Sequence, residues 1–204
     1  MGAHEHGIWD PLPLDRAVAL FAVAPMRWWV SGGRALDLHL GRSWRVHTDT
    51  DIGILRADAT RLPDVLPGWD IYLAAAGQLA CWDGESLDID HSQNNLWCRP
   101  SPRAPWSLDV TVGDGDDRHW TYRRDPTIRV PWHDAVLGSP RGVPYLAPEL
   151  QLLFKSTNSR EKDDIDASVV IPLLDAGRRS WLAAHLPATH PWQTTIADAE
   201  PDAP

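Results

Sequence analysis

Four Asp-x-Asp pairs punctuate this chain of 204 residues: Asp49/Asp51, Asp88/Asp90, Asp114/Asp116 and Asp164/Asp166. The pattern is weak by itself, so its surroundings must discriminate. Asp114/Asp116 lies in the run Gly113-Asp114-Gly115-Asp116, where Asp is expected for local turn hydrogen bonds. Asp164/Asp166 falls on an expected helix, where residues two apart point away from each other. Asp88/Asp90 follows a turn and stays in reserve. Asp49/Asp51 is different, because it falls on an expected strand over 47–55, where alternate side chains share a face. Both carboxylates can then bind one divalent ion or bridge two. One short helix upstream is Ser31-Gly32-Gly33, a turn whose backbone N–H groups and following helix N-terminus suit phosphates.

A phosphate cradle followed by paired carboxylates is the arrangement metal-assisted phosphoryl chemistry requires, and Mg2+ is the hard cation that binds carboxylates together with substrate phosphates. A third carboxylate is then needed to hold a second metal or to take a proton from the attacking hydroxyl. Asp109, in Trp106-Ser107-Leu108-Asp109-Val110, is best placed, on another expected strand with apolar neighbours. Its plainer reading is a hairpin residue answering Arg123 or Arg124 across the strands. Arg45 and His47 likewise have two readings, phosphate contacts or partners of Asp49 and Asp51. Lys155 either reaches a nucleotide or snorkels from an apolar helix face. Residues 160–166 read equally as an ordinary charged helix start, with Lys162/Asp166 an i,i+4 pair. His4 and His6 are spaced like a metal clip but sit in a loose arm, and no role is assigned to them.

The elements that must position these groups follow from periodicity. Residues 1–13 form a loose arm with Pro11 and Pro13, and Asp15 caps a helix over 16–24 that stops before Pro25. Trp28-Trp29-Val30 is a buried strand entering the glycine turn, and Ala35, Leu36, Leu38 and Leu40 give a helical face closed by Gly41. Strand, turn, helix and strand in this order define an α/β unit with a mixed sheet. A second helix is expected over 59–66, then short strands over 71–130, with 106–112 and 119–123 paired as a hairpin across the 113–116 turn. Beyond Pro148 the texture becomes helical, over 149–156, 161–174 and 178–186. The expected division is an α/β domain over 1–146, a small C-terminal helical lobe over 147–187 and a frayed tail over 188–204.

Composition narrows the classes. With 43% hydrophobic and 23% charged residues the whole chain is not disordered, and no apolar run is long enough to span a bilayer, so no membrane partner is expected. Lys+Arg 19 against Asp+Glu 28 gives a net charge of −9, which speaks against a nucleic-acid binder and is compatible with cationic ligands. Cys81 and Cys98 are too few for a disulfide scaffold or a four-Cys zinc site, and both read as buried thiols. No secretory signal is visible, which makes the cytoplasm the default location; a monomer is expected. Twelve Trp residues, against five Phe and Tyr, read mostly as core filling.

The run WWVSGGRALDLHLGRSWRVHTDTDIGI resembles the nucleotidyltransferase superfamily signature, and more narrowly the aminoglycoside 2''-nucleotidyltransferase (adenylyltransferase) family. The match runs through Trp29, Gly32, Gly33, Ala35, Asp37, Leu40, Gly41, Arg42, Arg45, His47, Asp49 and Asp51; Arg34 departs from it, where many relatives carry Trp. It continues through Trp97-Cys98-Arg99-Pro100, the Asp109 segment, 122–125, 143–149, 153–155 and 160–166, and covers roughly residues 25–192.

The resemblance implies an α+β or α/β fold, a nucleotidyltransferase-type mixed sheet with flanking helices followed by a helical lobe. It implies transfer of a nucleoside monophosphate from ATP or another NTP to a hydroxyl of a small molecule such as an aminoglycoside-like amino sugar. By the same analogy Asp49 and Asp51 bind Mg2+, Asp109 is the third metal-facing carboxylate and general base, Ser31 and Gly32 meet the phosphates with Gly33, Arg45 and His47 beside them, and Lys155 meets the triphosphate or ribose. Lys155, Arg160, Lys162, Asp163 and Asp166 also resemble toxin-type nucleotidyltransferases that modify tRNA or protein, for which Arg99, Arg103, Arg123, Arg124 and Arg129 would be the basic patch. A catalytically silent nucleotide-binding module is the third reading.

Overall fold

The computed structural model describes residues 7–88 and 93–199, so His4, His6 and Asp90 lie outside the described residues. The chain opens with α1 (Leu14–Phe21), which buries Ala17 and Phe21. It begins two residues earlier than expected, behind Pro13 rather than behind Asp15, because the fixed φ of Pro13 makes it the boundary residue. Next come β1 (Trp28–Val30), α2 (Gly32–Leu40), closed by Gly41 in the left-handed region, and β2 (Asp51–Leu55). A 3-10 turn (Arg56–Arg61) and α3 (Leu62–Val65) replace the single helix expected over 59–66.

The middle of the chain is β3 (Asp70–Ala75), β4 (Gln78–Cys81), β5 (Asn95–Arg99), β6 (Leu108–Gly115), β7 (His119–Thr121) and β8 (Arg129–Pro131). After α4 (Trp132–Ala135) come β9 (Val136–Gly138) and β10 (Pro144–Leu146). The helical end comprises α5 (Pro148–Ser156), α6 (Glu161–Val170), α7 (Ala176–His185) and α8 (Trp192–Asp198).

The strands form one mixed sheet in the order β4-β3-β5-β6-β2-β1-β10-β9, with β7 attached to β6 and β8 to β7. Among these described strands β2/β6 and β1/β10 pair in parallel, and the other pairs are antiparallel. Strand alternation gives the sheet two unlike faces. Val30, Ile52, Ile54, Leu96, Val110 and Val112 are all buried in one apolar layer with Phe21 and Leu62. Trp29, Asp51, Asn95, Asp109 and Thr111 occupy the opposite face, toward the layer built by α5, α6 and α7.

Trp29 lies across that second face. A Cβ on Gly53 would sit 2.1 Å from its Nε1 and one on Gly113 would sit 3.0 Å from its Cζ2, so both strands carry glycine where the indole crosses them. Gly113 therefore lies inside β6 instead of in the expected turn, as does Gly115, where a Cβ would sit 2.5 Å from His119 O. The reversal comes later, where Asp116 Oδ1 accepts from the N–H groups of Arg118 and His119, each at 2.8 Å.

Other expectations also change. The strand expected from 47 begins only at Asp51. Residues 8–12 of the arm pair with the backbone of Trp106 and Ser107, through Trp106 N–H to Ile8 O at 2.9 Å and Leu12 N–H to Ser107 O at 2.8 Å. The tail is ordered through α8, with Trp192 buried and its Nε1 donating to Asp164 Oδ1 at 2.8 Å. Pro172 ends α6 at Val170, ahead of a 3-10 turn (Ile171–Leu173), because proline cannot continue the hydrogen-bond ladder. Cys98 is buried as expected, but Cys81 is exposed, being on edge strand β4. Among the described residues no helix is long and apolar enough to cross a membrane.

If the Trp29 seat is the packing constraint of this face, Gly53→Val will overpack it and cost about 1–3 kcal/mol. Urea unfolding of the variant should show the lower midpoint, with Val23→Ala, at an exposed position, as the unaffected control.

Candidate active site

The parallel register of β2 and β6 sets Asp51 directly opposite Asp109, at the N-terminal end of both strands. Asp49 is two residues upstream but not on the strand. Thr50 Oγ1 donates to Leu12 O at 2.8 Å, and the segment before it is drawn toward α2 and α6 by Arg45 and His47. Asp49 therefore does not share a strand face with Asp51; it lies 3.7 Å from Lys162 Nζ. All three carboxylates nevertheless line one cavity of about 500 Å3 between the sheet and the helical layer.

The glycine turn meets this cavity in a specific way. Gly32 has φ +66°, and a Cβ there would be 1.8 Å from Asp51 Oδ2, so both conformation and the proximity of the carboxylate require glycine. Ser31 N–H donates to Asp51 O at 3.0 Å, and Thr111 Oγ1 donates to Ser31 Oγ at 3.4 Å. Gly32 N–H donates to Gln151 Oε1 at 2.8 Å, so one of the N–H groups expected to face phosphate is already bonded to α5. Gly33 is crowded by Arg45 and His47, each within 2.5 Å of where its Cβ would be.

The expected basic residues separate. His47 is buried, lies 2.8 Å from Asp37 Oδ2 and does not line the cavity. Arg45 lines it but is bidentate to Asp166, through Nε at 2.7 Å and Nη2 at 2.8 Å. Lys155 Nζ donates to Asp163 Oδ1 at 2.7 Å and stands 3.0 Å from Asp166 Oδ2. Arg160 Nε donates to Asp163 Oδ2 at 2.9 Å. Asp163 and Asp166, both buried, thus tie the start of α6 to the end of α5 and to the loop carrying Asp49.

Electrostatics follow this layout. Burial pushes the Asp109 carboxyl up to about 6, with Asp49 adding to the rise while Asn95, Trp97 and Arg123 oppose it. Asn95 Nδ2 donates to Asp109 Oδ1 at 2.8 Å. Burial likewise raises Asp51 well above the carboxylate range, reinforced by Asp49 and Asp109 and opposed by Lys155 and Lys162. Burial works against ionised Asp163, yet hydrogen bonds from Arg160 and Lys155 outweigh it and hold its carboxyl at about 2. Two crowded carboxylates with raised proton affinity and oxygen-only donors suit a hard divalent cation, whose charge relieves their repulsion. Among the described residues no group of three His, Cys, Asp or Glu is gathered as a metal cluster; Asp49, in the same cavity as Asp51 and Asp109, lies 3.7 Å from Lys162 Nζ.

Sequence reasoning does not single out Asn95, Thr111, Gln151, Phe154 or Asn158, all of which line the cavity. Asn95 is recoverable from strand pairing, because it shares a face with Asp109. Gln151 is not, because nothing local in α5 marks contact with a turn 119 residues away.

Residues 14–97 match the family model described as Aminoglycoside-2''-adenylyltransferase. The matched span carries Ser31 through Asp51 and stops before Asp109 and Lys155. The chain resembles that family, and its fold is of the nucleotidyltransferase type.

Among particular solved structures, it is similar to the lincomycin-bound lincosamide antibiotic adenylyltransferase LnuA, at 21% identity and TM-score 0.51, covering 75% of this chain and 90% of that one. It is also similar to ANT(2'')-Ia in complex with adenylyl-2''-tobramycin, at 16% identity and TM-score 0.56, covering 84% and 93%. A solution structure of ANT(2'')-Ia matches at 15% identity and TM-score 0.56, covering 90% and 91%. No curated protein matches the chain.

Removing one member of a buried ion network leaves its partners unpaired, so Asp166→Ala should destabilise the protein by about 3–5 kcal/mol. Acid unfolding gives a second check. Unfolded Asp titrates at ~3.9, so Asp163 contributes stability that is complete above that pH and is lost as pH falls through about 2. Asp163→Asn should therefore lower stability at neutral pH and flatten its loss in acid, as followed by circular dichroism.

Proposed function

We propose that the protein transfers a nucleoside monophosphate from an NTP, ATP in the first instance, to a hydroxyl of a small molecule. The observation that carries this reading is the Asp51/Asp109 pair, set in register at one end of a nucleotidyltransferase-type sheet and facing a cavity with cations on its helical wall.

In this reading Asp49 and Asp51 would hold Mg2+ together with the nucleotide's phosphates. Bound there, the cation neutralises phosphate charge and polarises the reacting phosphorus. The chain's own residues do the rest. The Ser31–Gly33 turn and the cations of α5 and α6, Lys155 and Lys162 foremost, receive the triphosphate. Asp109, oriented by Asn95, accepts the proton of the acceptor hydroxyl. The acceptor oxygen forms a bond to the α-phosphorus as the bond from that phosphorus to the β-phosphate oxygen breaks. The products are the nucleotidylated acceptor and pyrophosphate. Trp29 and Trp120 give the cavity part of its apolar lining.

Support for a small-molecule acceptor comes from the relatives, whose solved structures hold lincomycin and adenylyl-2''-tobramycin. The positions of Arg45, Lys155 and Asp163 also give a reason for the Arg160–Asp166 segment beyond a charged helix start, since Arg160, Lys162 and Asp163 all line the cavity.

The test is transfer from labelled ATP with Mg2+, its product identified by mass spectrometry across a panel of hydroxyl acceptors. Asp109→Asn should lower transfer by about 10²–10⁴-fold, the range for loss of a general base. Asp49→Asn and Asp51→Asn should abolish it. For the unmodified chain kcat/KM should fall as pH drops through about 6, where Asp109 gains its proton. Transfer that is untouched in all three variants contradicts the site assignment.

A further inference from the structure

Arg123 stands where two cavities meet. It and Gly113 line both the carboxylate cavity and a second one of about 830 Å3. Gly113 lies four residues along β6 from Asp109, on the same face of the strand, so the strand leads from the proposed base toward the second cavity.

The other cations of the second cavity are already answered. Arg56 Nε donates to Asp114 Oδ1 at 2.7 Å, and Arg129 pairs with Asp116. Arg123 has no ion pair among the described residues; its guanidinium lies 5.2 Å from the Phe154 ring centroid. Arg124 is next to it, 5.5 Å from the same ring, with Nη1 donating to Phe154 O at 2.7 Å and to Tyr122 Oη at 3.3 Å, and no carboxylate partner among the described residues. Two adjacent guanidinium groups braced on one aromatic ring keep most of their forked donors free, and that geometry matches phosphate and carboxylate.

The cations divide in space. Lys155 and Lys162 stand on the helical wall, paired with Asp163, Asp166 and Asp49, whereas Arg123 lines the second cavity beside Gly113 on β6, the strand that carries Asp109. A general base must reach the hydroxyl it deprotonates, so an acceptor lies on the Asp109 side. Attacking and leaving oxygens are roughly in line, so the pyrophosphate departs on the other side, toward the lysines.

We infer that Arg123 and Arg124 form an acceptor subsite for an anionic group, so that the molecule modified here carries a phosphate or carboxylate near its reacting hydroxyl. The inference rests on the proposed nucleotidyl transfer with Asp109 as base. It departs from the amino-sugar acceptor expected from the sequence, because a polycationic sugar would be repelled by two guanidinium groups that have no ion-pair partner among the described residues.

The experiment is calorimetry on the full chain saturated with Mg2+ and a non-hydrolysable ATP analogue. Glucose 6-phosphate, glucuronate, glucose and tobramycin are titrated in turn, so that phosphate and carboxylate are read separately. At least one anionic sugar should bind about tenfold more tightly than glucose, and Arg123→Gln should remove that advantage, as expected for loss of a charged hydrogen-bond donor. Arg123→Lys, which keeps the charge but not the fork, should fall between the two. Arg123→Gln keeps the Arg124 bond to Phe154 O, and its melting temperature and analogue affinity should match those of the parent. The inference is overturned if tobramycin binds more tightly than both anionic sugars, or if neither anionic sugar binds at millimolar concentration while the analogue does. It is equally overturned if Arg123→Gln weakens the analogue instead of the sugar. Absence of analogue binding to the unmodified chain overturns the proposed nucleotidyl transfer itself.

Discussion

Two carboxylates face each other across a parallel strand pair, and much of the molecule is arranged around that repulsion. Asp51 and Asp109 are neighbours because β2 and β6 run parallel in a register fixed by the apolar layer beneath them. A shift of one residue would move every side chain to the opposite face. It would bury the carboxylates among Ile52, Ile54, Val110 and Val112 and leave that apolar row uncovered. The hydrophobic layer thus enforces an electrostatically unfavourable pair on the other side of the same strands. Gly32 clears space for one carboxylate, and Asn95 gives the other a hydrogen bond.

The helical layer answers the sheet in a second way. Asp163 and Asp166 are buried acids whose charge is met by Arg45, Lys155 and Arg160. The network joins α5, α6 and the loop before β2, so the distance between the helical wall and the carboxylate pair is set by ion pairs of good geometry. Such pairs confer position more than net stability. Lys155 and Lys162 reach the site from this wall, and a polyanion entering there would compete with Asp163, Asp166 and Asp49 for the same cations.

Much of this architecture is legible in the amino-acid sequence. Trp28 to Val30, the glycine turn, the α2 helix with its Gly41 stop and the three principal C-terminal helices follow from local rules, because apolar spacing and glycine act over a few residues. Asp51 and Asp109 can be singled out as types on strands, but their register cannot, since strand pairing is a long-range choice. The features that escape sequence reasoning are mostly tertiary. The 47–50 segment has strand composition but is pulled off the sheet by His47 and Arg45. Gly113 and Gly115 look like a turn and serve instead as room for Trp29 and for the backbone of His119. The arm acquires order only by pairing with residues about a hundred positions away. The Arg123–Arg124 pair reads as part of a basic patch, and only the fold shows that Arg56 and Arg129 are matched while these two are not.

If the carboxylate pair exists to take a divalent cation together with a nucleotide, metal and nucleotide must bind cooperatively. Calorimetric titration of ATP into the full chain, with Mg2+ and with EDTA, tests this most directly. Mg2+ should strengthen ATP binding by about tenfold or more, roughly 1.4 kcal/mol at least, and Asp51→Asn should lose the difference while remaining folded. Equal ATP affinity with and without Mg2+ in the unmodified chain would contradict it.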